Sequence, residues 1–155
     1  MLRTYLKEHK APNKDRRLLR GIVQKKNGFT TSCWGPALWH YWHTISLNFT
    51  TEKEEEYRRF EDSLQGTLPC ASCRDNIADT LRSAREQDTP YKGRAHYMLF
   101  VYDVHDRINR MLGKSSPSFM VVVRKYESYR ATSCSAMEKD GCKGSARIVI
   151  VDEEA

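Results

Sequence analysis

The sequence predicts an all-α fold, a four-helix bundle plus a short fifth helix with an extension at each terminus. Apolar side chains recur every three or four residues through most of residues 34–130, which is the period of a helix with one buried face. Several of the breaks between these segments fall at glycine or proline, residues that commonly start or end helices. A chain of 155 residues is long enough for one domain with its own core.

The predicted helices span about residues 34–49, 52–66, 70–86, 89–113 and 117–130. One face of the first collects Trp34, Leu38, Trp42, Ile45 and Phe49. Thr51 and Glu54 have the spacing of a capping box, which predicts the start of the second helix. The fourth begins with Pro90 behind Thr89 and ends at Gly113, a natural C-terminal stop. The fifth contains three consecutive valines, which would also fit a strand.

The positive charge of the chain is concentrated at its N-terminal end. The formal net charge is +6, and residues 1–30 alone carry nine Lys/Arg against two Asp/Glu. We therefore expect a basic N-terminal extension over 1–32, a helical domain over 33–130 and a C-terminal extension over 131–155. A basic block of this kind is usually a solvated tail, with nucleic-acid binding and mitochondrial targeting as alternatives. No apolar run approaches the roughly 20 residues of a membrane span, so no membrane association is expected.

The cysteines are too few and too unevenly spaced for a small disulfide-rich scaffold. They are Cys33, Cys70, Cys73, Cys134 and Cys142. The second and third form a CxxC, which could be a zinc half-site, an inert structural pair or a redox-active dithiol. Zinc is disfavoured because the two downstream cysteines are separated by seven residues, a poor ligand spacing, so no metal is expected. Pro69 predicts that the CxxC opens a helix, where the helix dipole and Arg74 would favour a thiolate.

Two helices carry ring and amide side chains in register. The first has a row at steps of four, Gly35, Trp39 and His43. The fourth places His105 and Asn109 four residues apart on one face, with Lys114 just beyond its end. Each row alone would fit a solvated surface. Together they would suit a flat aromatic cofactor with polar edges and a phosphate.

Three stretches resemble the Erv/ALR family of FAD-linked sulfhydryl oxidases. They are WGPALWHYWHT (34–44), LPCASCR (68–74) and HDRINRMLGK (105–114). In order and spacing they are similar to the family motifs W-G-x-x-x-W-x-x-x-H-T, P-C-x-x-C and H-N-x-V-N-x-x-L-G-K, although Asp106 replaces the usual asparagine. The resemblance covers about residues 33–120. It implies a helical bundle that binds FAD and is usually a homodimer.

The resemblance also implies a role for each matched residue. Cys70 would be the exposed interchange thiol, and Cys73 would lie against the flavin ring as the charge-transfer thiolate. The flavin would be lined by Gly35, Trp39 and His43. The adenine and phosphate side would be held by His105, Ile108, Asn109 and Lys114. Tyr126 or Tyr129 would close the site where the family often has tryptophan. Cys134 and Cys142 would be a shuttle pair, a structural disulfide or free thiols.

The expected function is FAD-dependent sulfhydryl oxidation. A substrate dithiol would reduce the Cys70–Cys73 disulfide, and electrons would pass to flavin and then to O2, giving H2O2. Expected partners are O2, a protein dithiol such as a thioredoxin-like or CxxC protein, and a second copy of the chain. A viral member would act in the host cytoplasm or virion, with the mitochondrial intermembrane space as the alternative. The competing class is a non-enzymatic helical module whose basic arm binds nucleic acid or a partner.

Overall fold

The computed structural model describes residues 28–87 and 89–131, and within these ranges it contains helices and no strands. The five α-helices are α1 (Thr31–Ser46), α2 (Glu54–Thr67), α3 (Ala71–Gln87), α4 (Arg94–Met111) and α5 (Phe119–Glu127). Short 3₁₀ turns at Thr51–Lys53 and Pro90–Lys92 lead into α2 and α4. The predicted all-α class, with four longer helices and a short fifth, is confirmed. The strand alternative for residues 121–123 is wrong, because all three lie within α5.

Two predictions about helix starts are wrong. The first helix begins at Thr31, three residues early, and continues through Pro36. Thr51 does not cap the second helix, since neither the 3₁₀ turn nor α2 has a side-chain cap. The Thr51 hydroxyl instead lies 3.5 Å from a carboxylate oxygen of Glu52. A 3₁₀ turn thus occupies the position at which the capping box would form.

The segment predicted as one long fourth helix is divided. Gly93 has extended backbone angles, φ 166° and ψ 177°, and separates the turn at Pro90–Lys92 from α4. The predicted stop at the other end is confirmed, because Gly113 has φ +67°. That left-handed conformation is readily accessible to glycine and ends α4.

The core lies where α4 packs against α1 and α3, while α2 packs against α3. From the predicted face of the first helix, Trp42 in α1 and Phe49 in the segment after α1 are both almost fully buried, and α4 supplies Tyr97, Val101 and Val104. Burial of each such large apolar side chain contributes about 1.5–3 kcal/mol. Within the described ranges, none of the helices has both the length and the hydropathy needed to cross a bilayer.

A carboxyl group lies in the middle of this core. Glu61 of α2 is fully buried and accepts hydrogen bonds from the hydroxyls of Tyr91 (2.6 Å) and Tyr97 (2.8 Å). It also accepts one from the Arg85 guanidinium at 2.5 Å, and the Tyr97 oxygen accepts one from Trp42 Nε1 at 3.1 Å. Burial raises the pKa of Glu61, and the three donors oppose that rise. One side chain therefore connects α1, α2, α3 and α4.

Replacing Glu61 by alanine should lower the free energy of unfolding by about 3–5 kcal/mol. The hydroxyls of Tyr91 and Tyr97 would lose their acceptor inside the core, and Arg85 would keep only its exposed partner Asp62. Chemical denaturation followed by circular dichroism measures the change. Glu56→Ala is the matched control, because Glu56 is exposed on the same helix and its loss should change stability by less than about 0.5 kcal/mol. Similar small effects in both variants would contradict a stabilising role for this network.

Candidate redox and cofactor site

The CxxC lies at the junction between α2 and α3. Cys70 and Cys73 form a disulfide, and α3 begins at Ala71, so both sulfurs belong to the first turn of a helix as predicted. Unpaired amides and the helix dipole favour a thiolate in this position. The other cysteine in the described ranges, Cys33, is free and exposed. The predictions for Cys134 and Cys142 concern positions outside the described residues.

The two sulfurs have different surroundings. Cys73 packs against the hydrophobic core. Cys70 Sγ accepts a hydrogen bond from the backbone N–H of Cys73 at 3.3 Å and lies 3.4 Å from the hydroxyl of Ser72. Arg74, expected to support the thiolate by its charge, donates to the Leu68 carbonyl at 2.6 Å. It therefore holds the turn that precedes the CxxC.

A stack of rings joins α1, α4 and α5. Trp39 lies parallel to His105, with ring centroids 4.0 Å apart and planes inclined by 7°. His43 Nε2 is 2.9 Å from His105 Nδ1, and Tyr126 stacks on His43 at 5.0 Å. On its other side Trp39 is parallel to Trp42 at 5.5 Å. The structure thus brings together three predicted cofactor residues, and Tyr126 is the tyrosine that contacts them.

Both imidazoles of the stack are neutral at neutral pH. Burial, assisted by the unfavourable interaction of a charged His43 with His105 and Lys125, lowers the pKa of His43 to about 3. Burial also lowers the pKa of His105 to about 4, although Asp106 opposes that shift. One neutral ring therefore donates to the other, and the pair presents flat, uncharged surfaces.

A cavity of about 110 Å³ opens beside the rings, between α4 and α5. Its walls include His105, Asn109, Ser116, Val122, Lys125 and Tyr126. Ligand pockets usually measure about 300–1,000 Å³, so this cavity would take one part of a dinucleotide. A larger cleft of about 350 Å³ is lined by α2 and α3 residues, including Gln65 and Arg85, and shares no residue with the ring stack.

The remaining predicted site residues lie around this cavity in different ways. Asn109 lines it and donates to Ser116 at 2.9 Å. Lys114 is exposed, and its backbone N–H donates to the Asn109 carbonyl at 2.8 Å. Ile108 packs against the core. A Cβ at Gly35 would meet nothing within 4 Å, so space is open on that side of α1.

Sequence analysis predicted Tyr126 or Tyr129 at the site but missed the rest of the contribution of α5. Val122, Lys125 and Tyr126 all line the cavity, and Lys125 adds a cation that was not predicted. The four-residue step from Val122 to Tyr126 was the available signal, because it places both on one helical face. The ambiguity between helix and strand at the consecutive valines obscured it.

The model of the Erv1/Alr family matches residues 36–128, a range that contains the CxxC, the ring stack and the cavity. This chain belongs to the Erv1/Alr family. It is 27% identical over 97 residues to a relative assigned as FAD-linked sulfhydryl oxidase 096R of Invertebrate iridescent virus 3. It is 26% identical over 89 residues to one assigned as FAD-linked sulfhydryl oxidase 347L of Invertebrate iridescent virus 6.

These alignments cover 60% and 52% of this chain, and 65% and 80% of the two relatives. The family resemblance inferred from the three motifs is confirmed. Both relatives are assigned as FAD-linked sulfhydryl oxidases. In the described ranges, no group of three or more His, Cys, Asp or Glu residues is arranged to hold a metal ion.

The side chains of this Erv1/Alr domain fit FAD. The neutral ring stack suits an aromatic ring system, the Asn109 amide can pair with a ring edge, and Lys114 and Lys125 can face phosphate. The open space at Gly35 leaves room beside α1 that a larger side chain would occupy.

Replacing Gly35 by leucine should weaken FAD binding at least tenfold, because the new side chain would enter that space. The free energy of unfolding without FAD should change by less than about 1 kcal/mol. Fluorescence titration with FAD and chemical denaturation measure the two effects. Gly66→Leu is the matched control, since Gly66 is also helical and a Cβ added there would meet nothing within 4 Å. Equal FAD affinity in both variants would contradict the placement of FAD beside Gly35.

The neutral histidine pair should make the fold sensitive to mild acid. Both folded pKa values lie below the usual 6.5, so the unfolded chain binds more protons between about pH 4 and 6.5. The stabilisation is complete above pH 6.5 and is lost as the pH falls, by up to about 1.4 kcal/mol per pH unit for each histidine. Unfolding measured at pH 7, 6 and 5 gives the slope. The slope of the free energy of unfolding against pH should be unchanged in His96→Gln, an exposed site on α4, and should be smaller in His43→Gln.

Proposed function

We propose that this protein is an FAD-dependent sulfhydryl oxidase that forms disulfides in protein dithiols, with O2 as final acceptor and H2O2 as product. The observation that carries the proposal is the Cys70–Cys73 disulfide at the start of α3, within an Erv1/Alr domain. The different surroundings of the two sulfurs support separate tasks for them. Cys70 exchanges with substrate, and Cys73 passes electrons to the cofactor.

The exchange begins at Cys70. A substrate thiolate attacks Cys70 Sγ, the bond to Cys73 breaks, and Cys73 leaves as a thiolate that the start of α3 stabilises. The second substrate thiolate then attacks the substrate sulfur of the mixed disulfide. The substrate leaves oxidised, and Cys70 is released as a thiolate. The Cys73 N–H and the Ser72 hydroxyl lie where they can stabilise that leaving group.

FAD supplies a two-electron acceptor for the reduced CxxC and a route to O2. Trp39, His43 and His105 would hold its rings. The imidazoles of His43 and His105 are neutral, so they would not balance the negative charge of the phosphates. Asn109 would bind a ring edge. Lys114 and Lys125 would balance the phosphate charge.

The compartment and the assembly are further parts of the proposal. Both relatives come from iridescent viruses, which favours a viral protein acting in the host cytoplasm or virion over one in the mitochondrial intermembrane space. A homodimer through α1 and α2 is supported by Tyr41, which is 55% exposed and packs edge-on against Phe60 of α2. Thioredoxin-like or CxxC proteins are the substrates that exchange at Cys70 would suit.

Replacing Cys73 by serine should abolish thiol oxidation, lowering O2 consumption with dithiothreitol by at least a hundredfold, while bound FAD keeps its visible spectrum. The loss follows because the remaining Cys70 thiol cannot form the intramolecular disulfide. Cys33→Ser is the control and should keep full activity, since Cys33 is free and exposed. Oxidase activity that survives in Cys73→Ser, or a wild-type protein that cannot bind FAD, would overturn the proposal.

A further inference from the structure

The two carbonyl groups that precede the redox disulfide are both held by hydrogen-bond donors. The Leu68 carbonyl accepts from Arg74 Nη1 at 2.6 Å, and the Pro69 carbonyl accepts from the Phe29 N–H at 3.0 Å. Arg74 belongs to α3 itself, whereas Phe29 lies just before α1. The turn that leads into the CxxC is therefore attached both to its own helix and to a part of the chain that is distant in sequence.

The residues directly before α1, segment 28–30, are in turn attached to that helix. The Phe29 carbonyl accepts a hydrogen bond from Trp34 Nε1 at 3.2 Å, and the Thr30 carbonyl accepts one from the Cys33 N–H at 3.0 Å. Trp34 packs against the hydrophobic core. Segment 28–30 thus connects the CxxC turn with α1.

Gly28 allows the segment to lie this close to the CxxC. A Cβ at Gly28 would lie 2.3 Å from the Pro69 carbonyl oxygen and 3.5 Å from the Cys70 Cα. The first distance is a clash with backbone, whereas a Cβ at any other described glycine would meet nothing within 4 Å. In the described ranges the glycine with positive φ is Gly113, so Gly28 is required for space and not for a left-handed backbone.

Cys70 occupies the N-cap position of α3, because the helix begins at Ala71 and the Cys70 carbonyl accepts the Arg74 N–H at 3.1 Å. Its sulfur also accepts the Cys73 N–H at 3.3 Å, as the side chain of an N-cap residue does. Such a hydrogen bond is stronger when the acceptor is charged. It therefore favours the thiolate form of Cys70 once the disulfide is reduced.

We propose that Gly28, Phe29 and Trp34 are positioning residues for Cys70. The Pro69 carbonyl belongs to the peptide group that joins Pro69 to Cys70, so holding this oxygen also fixes the direction in which the Cys70 side chain leaves the backbone. The sulfur is thereby kept against the amide at the start of α3, where it is a good leaving group. This inference rests on the proposed function, because it concerns the sulfur that exchanges with substrate.

The test measures ionisation of the Cys70 thiol in a Cys73→Ser background, in which Cys70 cannot form its disulfide and the amide at position 73 is retained. Alkylation of Cys70 by iodoacetamide is followed as a function of pH by mass spectrometry of the peptide that contains it. Gly28→Ala should move the midpoint of this profile to higher pH. It should also slow alkylation at pH 7 about tenfold, because less thiolate is present.

Two further variants accompany this measurement. Trp34→Phe should move the profile in the same direction by a smaller amount, because it removes the donor to the Phe29 carbonyl and keeps an aromatic ring in the core. Gly66→Ala is the matched control and should leave the profile unchanged. Gly66 lies at the end of α2, close to the CxxC in sequence, and a Cβ added there would meet nothing within 4 Å.

The alkylation profile uses neither FAD nor O2, so its outcome is independent of the oxidase activity. An unchanged profile in Gly28→Ala, or an equal shift in Gly66→Ala, would overturn the positioning role. If Gly28→Ala does not fold, Trp34→Phe decides in its place by the same comparison. Absence of dithiothreitol oxidation by the FAD-loaded wild-type enzyme would instead overturn the proposed function.

Discussion

The buried carboxyl of Glu61 is the constraint on which the arrangement of the first four helices depends. An acid in an apolar core is costly unless donors surround it, and its donors here come from α3, α4 and the turn before α4. Their hydrogen bonds therefore tie the relative position of α2 to those elements. Tyr97 extends the constraint to α1, because its oxygen also accepts from the indole N–H of Trp42. Burial of apolar surface favours a compact bundle, but it does not specify how the helices are placed relative to one another. The hydrogen bonds of this network do specify it.

The same network positions the ring stack. Trp42 is held by Tyr97 and lies parallel to Trp39, which lies parallel to His105. From the core outward, each ring is thus held in position by the ring before it. Preorganisation of this kind lowers the cost of ordering side chains when a ligand binds. The neutral His43–His105 pair completes the stack without placing buried positive charge next to an aromatic ligand.

Much of this arrangement could be predicted from local sequence. The contacts that could not be predicted join residues far apart in the chain. Trp39, His43 and the CxxC were identified because helical steps and the proline before Cys70 are local signals. Glu61 carries no such signal: it lies in a strongly acidic helix, and its partners are 24 to 36 residues away. The predicted capping box at Thr51 does not form, although the spacing is present, because the chain forms a 3₁₀ turn there. Lys125 could be recognised as a residue of the cavity only once α5 was known to be a helix that packs beside α4.

The two sides of the CxxC explain how one disulfide can serve a protein and a cofactor in turn. Cys73 packs against the hydrophobic core, which agrees with the proposed exchange of substrate at Cys70. The contacts of Cys70 with the Cys73 N–H and the Ser72 hydroxyl make it a good leaving group in the second exchange step. In the proposed mechanism the reduced pair is then reoxidised through Cys73. In the proposed mechanism, direction thus arises from thiolate stabilisation at two different sulfurs.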